Sequence, residues 1–210
     1  LVALRAARSV SNNYKVAFCG YHGWHDWYLS TNLQNSKNLD KHLLPNINTV
    51  GIPKNLKSQT FGFDFNNIEQ FKKIIKKNKL AAVIMEVSRS KKTDKRFLKE
   101  IRKITKKKGI CLIYDECTSG FRETFGGLYK KYGIIPDIVV YGKAIANGYP
   151  LCAIVGKKNI MKNLDKSFVS STFWTDRIGY TAAIMTLNLM KKNKSWLKLK
   201  NKGLAIKNIW

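Results

Sequence analysis

The chain has 210 residues, with 39 Lys and Arg against 13 Asp and Glu and a formal charge of +26, so one large domain with a full core is expected rather than several small ones. No apolar run reaches the length of a membrane span, the first residues lack a signal peptide's pattern, and the four cysteines form no C-x-x-C pair, which argues against a membrane partner, a disulfide framework and a zinc knuckle. The expected compartment is the cytoplasm, with reduced, buried thiols at Cys19, Cys111 and Cys152 and a fourth, Cys117, in a loop.

Residues 1–10 are rich in Ala and Arg and read as the end of a helix, which Ser11, Asn12 and Asn13 stop. A short strand is expected over residues 15–19. It leads into Gly20-Tyr21-His22-Gly23-Trp24-His25-Asp26-Trp27-Tyr28, a loop whose large rings would forgo burial if left in water and which is therefore expected to line something. Residues 31–57 hold many Asn and Lys, with Pro45 and Pro53, and show no sustained period.

Ile68, Phe71, Ile74 and Ile75 mark an amphipathic helix, and residues 80–85 a buried strand that ends at Glu86. A charged turn over residues 89–93 follows. Phe97, Leu98, Ile101 and Ile104 form one helical stripe, which Gly109 closes before a strand over residues 110–114. Gly126, Gly127 and Gly133 punctuate a short helix, Pro136 leads to a strand over residues 138–141, and residues 151–155 form another strand. Ile178, Ala182, Met185 and Leu189 predict a largely buried helix. The order of strands and helices is that of an α/β sheet with crossover helices.

The lysines recur at 72, 73, 76 and 77, at 99, 103 and 106–108, at 157, 158 and 162, and at 191, 192 and 194. This spread suits the solvated faces of amphipathic helices better than a nucleic-acid footprint, which remains the competing reading of the charge.

Three strand ends carry chemistry: Glu86, Asp115 and Lys143. In a parallel sheet the carboxyl ends of strands face a shared crevice, so the three can converge. A lysine among apolar groups loses ammonium hydration and becomes a nucleophile for an aldehyde. An ionised aspartate can hold a protonated heterocyclic nitrogen, and a flat ring such as Tyr21 can stack on that heterocycle. The plainer readings are a surface lysine, a turn or cap aspartate and a core tyrosine. His22, His25 and Asp26 have the spacing of metal ligands, but no distant ligand joins them and Trp24 and Trp27 crowd them, so no metal is expected.

The segments Y-H-G-W-H-D-W, D-E-C-T-S-G-F-R, P-D-I-V-V-Y-G-K-A-I-A-N-G-Y-P and S-S-T-F-W, in this order, resemble the class III aminotransferases of pyridoxal-phosphate fold type I, nearest the glutamate-1-semialdehyde aminomutase-like branch. The likeness runs from about residue 3 to about residue 189. It implies a three-layer α/β/α large domain with a mostly parallel mixed sheet, pyridoxal 5'-phosphate as cofactor, and amino-group transfer between an amino acid and a keto acid, aldehyde or keto-sugar through a lysine Schiff base. Aminomutase chemistry is the alternative within the family, and a non-catalytic relative or a basic nucleic-acid-binding protein the alternative outside it.

By the same resemblance, Lys143 matches the lysine of the Schiff base and Asp115 the partner of the pyridine nitrogen. Tyr21 matches the stacking aromatic, with His22 beside it. Thr172 matches the threonine that reaches the cofactor phosphate of the neighbouring subunit, which implies a homodimer. Thr118 lies near the position of the phenolic oxygen and Glu86 supports the site. Arg122 could meet a substrate carboxylate or pair with Glu116 or Glu123. Val87 stands where the family usually has proline, and the segment after it is short. Residues 1–210 are expected to be the central part of the cofactor-binding large domain of a longer protein, lacking the phosphate loop and the small domain.

Overall fold

The structure is a computed structural model and describes residues 1–89 and 93–210. Its strands are β1 (Lys15–Cys19), β2 (Thr60–Gly62), β3 (Leu80–Glu86), β4 (Cys111–Asp115), β5 (Ile138–Tyr141) and β6 (Ala153–Gly156). They form one sheet in the order β2-β1-β3-β4-β5-β6. The first five run parallel, and β6 pairs antiparallel with β5, Tyr141 facing Ala153. The helices are α1 (Val2–Ser9), α2 (Asp26–Leu29), α3 (Ile68–Lys77), α4 (Lys95–Lys108), α5 (Tyr129–Tyr132), α6 (Lys158–Met161), α7 (Arg177–Asn193) and α8 (Ser195–Ile209).

Every residue of β3 is buried, which explains why that stretch is continuously apolar instead of alternating: a parallel strand in mid-sheet has both faces covered. The alternation appears in the packing. Val83, Met85, Leu112 and Tyr114 meet Phe71 of α3 and Phe97, Leu98 and Ile101 of α4 on one face. Ala82, Ile84 and Ile113 meet Leu4 of α1 and Ile160 of α6 on the other. The result is the three-layer α/β/α arrangement. Each fully buried side chain of this kind contributes about 2 kcal/mol of burial.

Local signals set the helix ends. Asp94 caps α4 by accepting the Arg96 N–H at 2.8 Å, and Gly109, at φ +65, ends it in the left-handed region that favours glycine. Between β4 and β5, Asp137 ties the layers together. It accepts two bonds from Arg102 of α4 at 2.7 and 2.9 Å, one from the Leu112 N–H at 2.9 Å and one from Lys157 at 2.6 Å. Burial pushes this carboxyl up, but Arg102, the Leu112 N–H and Lys157 outweigh burial and bring it to about 2.

Three expectations are corrected. The stripe Ile178, Met185 and Leu189 of α7 is exposed, with Ala182 half-buried, because the helix packs through Ala183, Leu187 and Met190 instead. Cys152 is exposed, whereas Cys19 and Cys111 are buried. Strand β2 and helix α8 were not anticipated: β2 has only three residues, and most apolar residues of α8, among them Leu197, Leu204 and Ile206, are exposed, with Trp196 half-buried against the Phe125 ring. Of the charged turn over residues 89–93, residues 90–92 lie outside the described residues. Among the described residues no helix is long and apolar enough to cross a membrane.

Candidate active site

The carboxyl ends of β1, β3, β4 and β5 are neighbours, and each delivers a side chain to the same edge of the sheet. Glu86 and Asp115 are register partners on β3 and β4, and Lys143 follows the end of β5 by two residues. Asp115 Oδ2 lies 2.9 Å from His22 Nδ1, and Asp115 Oδ1 accepts the Cys117 N–H at 3.1 Å. The other ring nitrogen of His22 faces the Cys19 carbonyl at 3.3 Å, so both ring nitrogens meet acceptors. Burial pushes the Asp115 carboxyl up, but the hydrogen bond and pull of His22, the Cys117 N–H and the Lys143 charge outweigh burial and hold it below the ordinary aspartate range.

Glu86 fixes the corner at the end of β1. Its Oε2 accepts the Tyr21 N–H at 2.9 Å and Arg89 at 3.0 Å. Gly20 has φ +102, and a Cβ there would stand 2.6 Å from Glu86 Oε2, so only glycine lets the chain turn this close to the carboxylate. The same corner is held by Tyr28 Oη, which donates to the Gly20 carbonyl at 3.0 Å, and by His42 Nδ1, which accepts the Gly20 N–H at 3.2 Å. Burial brings the His42 imidazole down to about 4, which suits the neutral ring that this acceptor role needs. The Arg89 guanidinium lies 5.1 Å from the centre of the half-buried Tyr21 ring.

Lys143 opens a tight 3-10 turn at φ +47 and donates to Thr118 Oγ1 at 2.9 Å. A non-glycine residue in this backbone region is a strained feature that local packing has to sustain. Lys143 is exposed, so the apolar enclosure expected of it is not what surrounds its amine. The groups that act on it are the Thr118 hydroxyl and the Asp115 charge.

Tyr21, His22, Glu86, Asp115, Thr118 and Lys143 thus form one connected group. Thr172 does not join it: it is exposed in the turn before α7, and the helix cap is Asp176, which accepts the Ile178 N–H at 2.7 Å. Arg122 donates to the Thr118 carbonyl at 2.6 Å, while Glu116 accepts from Ser119 and the Tyr129 N–H and Glu123 pairs with Lys131. Of the two readings of Arg122, the ion pair with Glu116 or Glu123 is therefore replaced by a backbone contact. His25 and Asp26 are exposed, and no group of three His, Cys, Asp or Glu among the described residues could hold a metal. His42 and Arg89 were missed. The first lies in a stretch without period, and only the strand-end glycine it supports could have hinted at it.

An aldehyde-bearing pyridine ring fits this donor set. An amine is present at Lys143 and a hydroxyl beside it at Thr118. The Asp115 carboxylate is held ionised and spends only two of about four acceptor positions on His22 and Cys117. Tyr21 offers a half-buried aromatic face.

Residues 2–208 match the sequence profile of the family described as aminotransferase class-III. Among curated proteins the chain is 34% identical over 205 residues to a 3-aminobutyryl-CoA aminotransferase of Cloacimonas acidaminovorans, covering 92% of this chain and 45% of that protein. It is 36% identical over 216 residues to a glutamate-1-semialdehyde 2,1-aminomutase of Nitrosopumilus maritimus, covering 97% and 50%. Among solved structures it is similar to an omega-transaminase from Sphaerobacter thermophilus, with a TM-score of 0.78, 25% identity and coverage of 90% of this chain and 46% of that one. The chain spans about half the length of the relatives it matches.

Proposed function

The chain belongs to the class-III aminotransferase family, whose members use pyridoxal 5'-phosphate, and from that membership we propose that it is the central part of the cofactor-binding large domain of an amino-group-transferring enzyme. The observation that carries this reading is the convergence on neighbouring strand ends of the Lys143 amine, bonded to Thr118, and the ionised Asp115 carboxylate, bonded to His22.

In this reading Lys143 would hold the cofactor aldehyde through Nζ, and Asp115 would hold the protonated ring nitrogen. Tyr21 covers the ring, and Thr118 stands beside the amine. The cofactor, when bound, supplies an electron sink for the substrate's α-carbon. His22 and the Cys117 N–H keep Asp115 ionised and aimed. Glu86, through the Tyr21 N–H, sets the height of the aromatic wall. Lys143 Nζ would be the base that takes the α-proton and returns it to a different atom, a role that suits an amine already hydrogen-bonded to a hydroxyl. The substrates are a small-molecule amino donor and an acceptor such as a keto acid, aldehyde or keto-sugar.

A homodimer completes the proposal. The open stripe of α7, Ile178, Met185 and Leu189, lines a groove with Ala146 and Asn147, three and four residues after Lys143. A second subunit seated there would bury apolar area beside the site, and Thr172, exposed next to α7, would be free to reach the partner's cofactor phosphate. Four unpaired thiols suit a reducing cytoplasm.

Borohydride reduction after addition of pyridoxal phosphate, followed by peptide mapping, tests the reading. Label on Lys143, lost in Lys143→Ala, is the expected result, and label that persists elsewhere in Lys143→Ala overturns it. The likeness to aminomutases supports a second reading, return of the amino group to the neighbouring carbon of the same substrate. Product formation from a single substrate, with no second acceptor, would favour it.

A further inference from the structure

Two cysteines next to the site have no part in the chemistry proposed above. Cys117 lies two residues after Asp115, to which its N–H donates, and immediately before Thr118, which holds the Lys143 amine. Cys152 lies just before β6, and because Ala153 faces Tyr141 across the antiparallel pair, the strand lays Cys152 beside Gly142. Both sulfurs crowd that glycine: a Cβ on Gly142 would stand 2.6 Å from Cys117 Sγ and 3.2 Å from Cys152 Sγ. Cys152 is exposed and Cys117 half-buried.

From this geometry we propose that Cys117 and Cys152 are a reversible modification site, a thiol pair that closes to a disulfide when a small-molecule disulfide reaches it, and that closure disables Lys143. The exchange balances in two steps. The Cys152 thiolate attacks one sulfur of the small disulfide and expels the first thiolate. The Cys117 sulfur, giving up its proton, then attacks Cys152 Sγ and expels the second. Two protein thiols are oxidised, one small disulfide is reduced to two thiols, and no other reactant is needed.

The division of labour has a physical basis. The neighbouring Cys117 thiol, and with it the Lys143 charge, draws the exposed Cys152 thiol below the ordinary cysteine range against partial burial, which favours the thiolate on the sulfur that solvent can reach. Cys152 and burial push the Cys117 thiol up, so it is the slower of the two to react and is left to attack second. Cys19 and Cys111 are buried and stay out of the reaction.

Closure acts on Lys143 from both sides. A disulfide draws its sulfurs to about 2 Å, beneath the residue that precedes Lys143. It also moves Cys117, which carries Thr118 and an N–H bond to Asp115. Lys143 already sits at φ +47 and has little freedom to absorb the displacement. This consequence rests on the proposed role of Lys143, whereas the disulfide itself does not.

Treatment of the whole chain with glutathione disulfide, then peptide mapping without reduction, tests both parts. The expected result is one species joining the Cys117 and Cys152 peptides, loss of both accessible thiols, and recovery with dithiothreitol. Cys152→Ser and Cys117→Ser should each abolish the joined species. In the oxidised protein, fixation of pyridoxal phosphate on Lys143 by borohydride should be lost, and it should return on reduction. Separate glutathione adducts on the two cysteines, or no reaction, would overturn the pair. A joined species with undiminished fixation would overturn the coupling. Absence of fixation in the reduced protein would count against the functional reading alone, because the joined species is scored independently.

Discussion

The Lys143 amine donates to the Thr118 hydroxyl at 2.9 Å, linking the residue two positions past β5 to the residue three positions past β4. Asp115 lies at the base of the second of these loops, so a single loop holds the acid and aims the amine. A lysine side chain has several rotatable bonds, and one fixed acceptor at its tip removes much of the freedom it would otherwise have to give up on reaction.

Thr118→Val removes that acceptor while keeping the shape. The rate at which pyridoxal phosphate becomes fixed on Lys143 should fall about threefold to tenfold, the range of an exposed hydrogen bond, and Thr118→Ser should restore it. An unchanged rate in Thr118→Val would show that the contact does not orient the amine.

Asp115→Asn keeps the size of the side chain and removes its charge. Fixation at Lys143 should persist, while turnover of the complete enzyme should drop by about a hundredfold to a thousandfold, as when a preorganised charge is lost from a reacting centre. Stopped-flow measurement with an amino donor reads both. Near-normal turnover would mean that the carboxylate faces no developing charge.

Gly20→Ala drives a methyl group to 2.6 Å from Glu86 Oε2 at a backbone φ of +102. The expected loss of stability is about 2 kcal/mol, read as a lower denaturant midpoint with an unchanged slope. A variant as stable as the parent would show that Glu86 can swing away without loss.

Acid should weaken the fold in two successive windows. His42 is brought by burial from its ordinary 6.5 to about 4, so the unfolded chain binds the proton more readily. Its contribution is complete above about pH 6.5 and is lost as pH falls toward 4. Asp137, brought to about 2 from an ordinary 3.8 mainly by Arg102 once burial is overcome, adds a second loss as pH falls from there toward 2. Each is worth at most about 3 kcal/mol. Denaturant titrations of the parent and of His42→Asn at stepped pH should show the first loss only in the parent.

The parts that were legible in the sequence are those whose signal is local. Strand β3 reads as one apolar run because both of its faces are covered, and α4 carries its stripe and its Gly109 stop within one segment. Asp115 and Lys143 stood out because polar groups at the ends of apolar runs mark strand ends. What was not legible depends on tertiary choices. Helix α7 carries two candidate apolar stripes, and periodicity cannot say that Ala183, Leu187 and Met190 pack while Ile178, Met185 and Leu189 face out. His42 reaches Gly20 across a connection with no period of its own. The meeting of Cys117 and Cys152 follows from the antiparallel direction of β6, which no local pattern encodes.

The sheet order also has a kinetic consequence. Strand β1 lies between β2 and β3, so the corner bearing Tyr21 and His22 has no neighbour until chain from residue 60 onward has been laid down on both sides of it. Pairing it closes long loops before any contact compensates for them, and parallel sheets built this way fold slowly. The half of the sheet carrying Asp115 and Lys143 has closer-spaced partners and should gain protection from hydrogen exchange first. The site as a whole should then become competent to take up pyridoxal phosphate only at the last step of folding, when β1 docks.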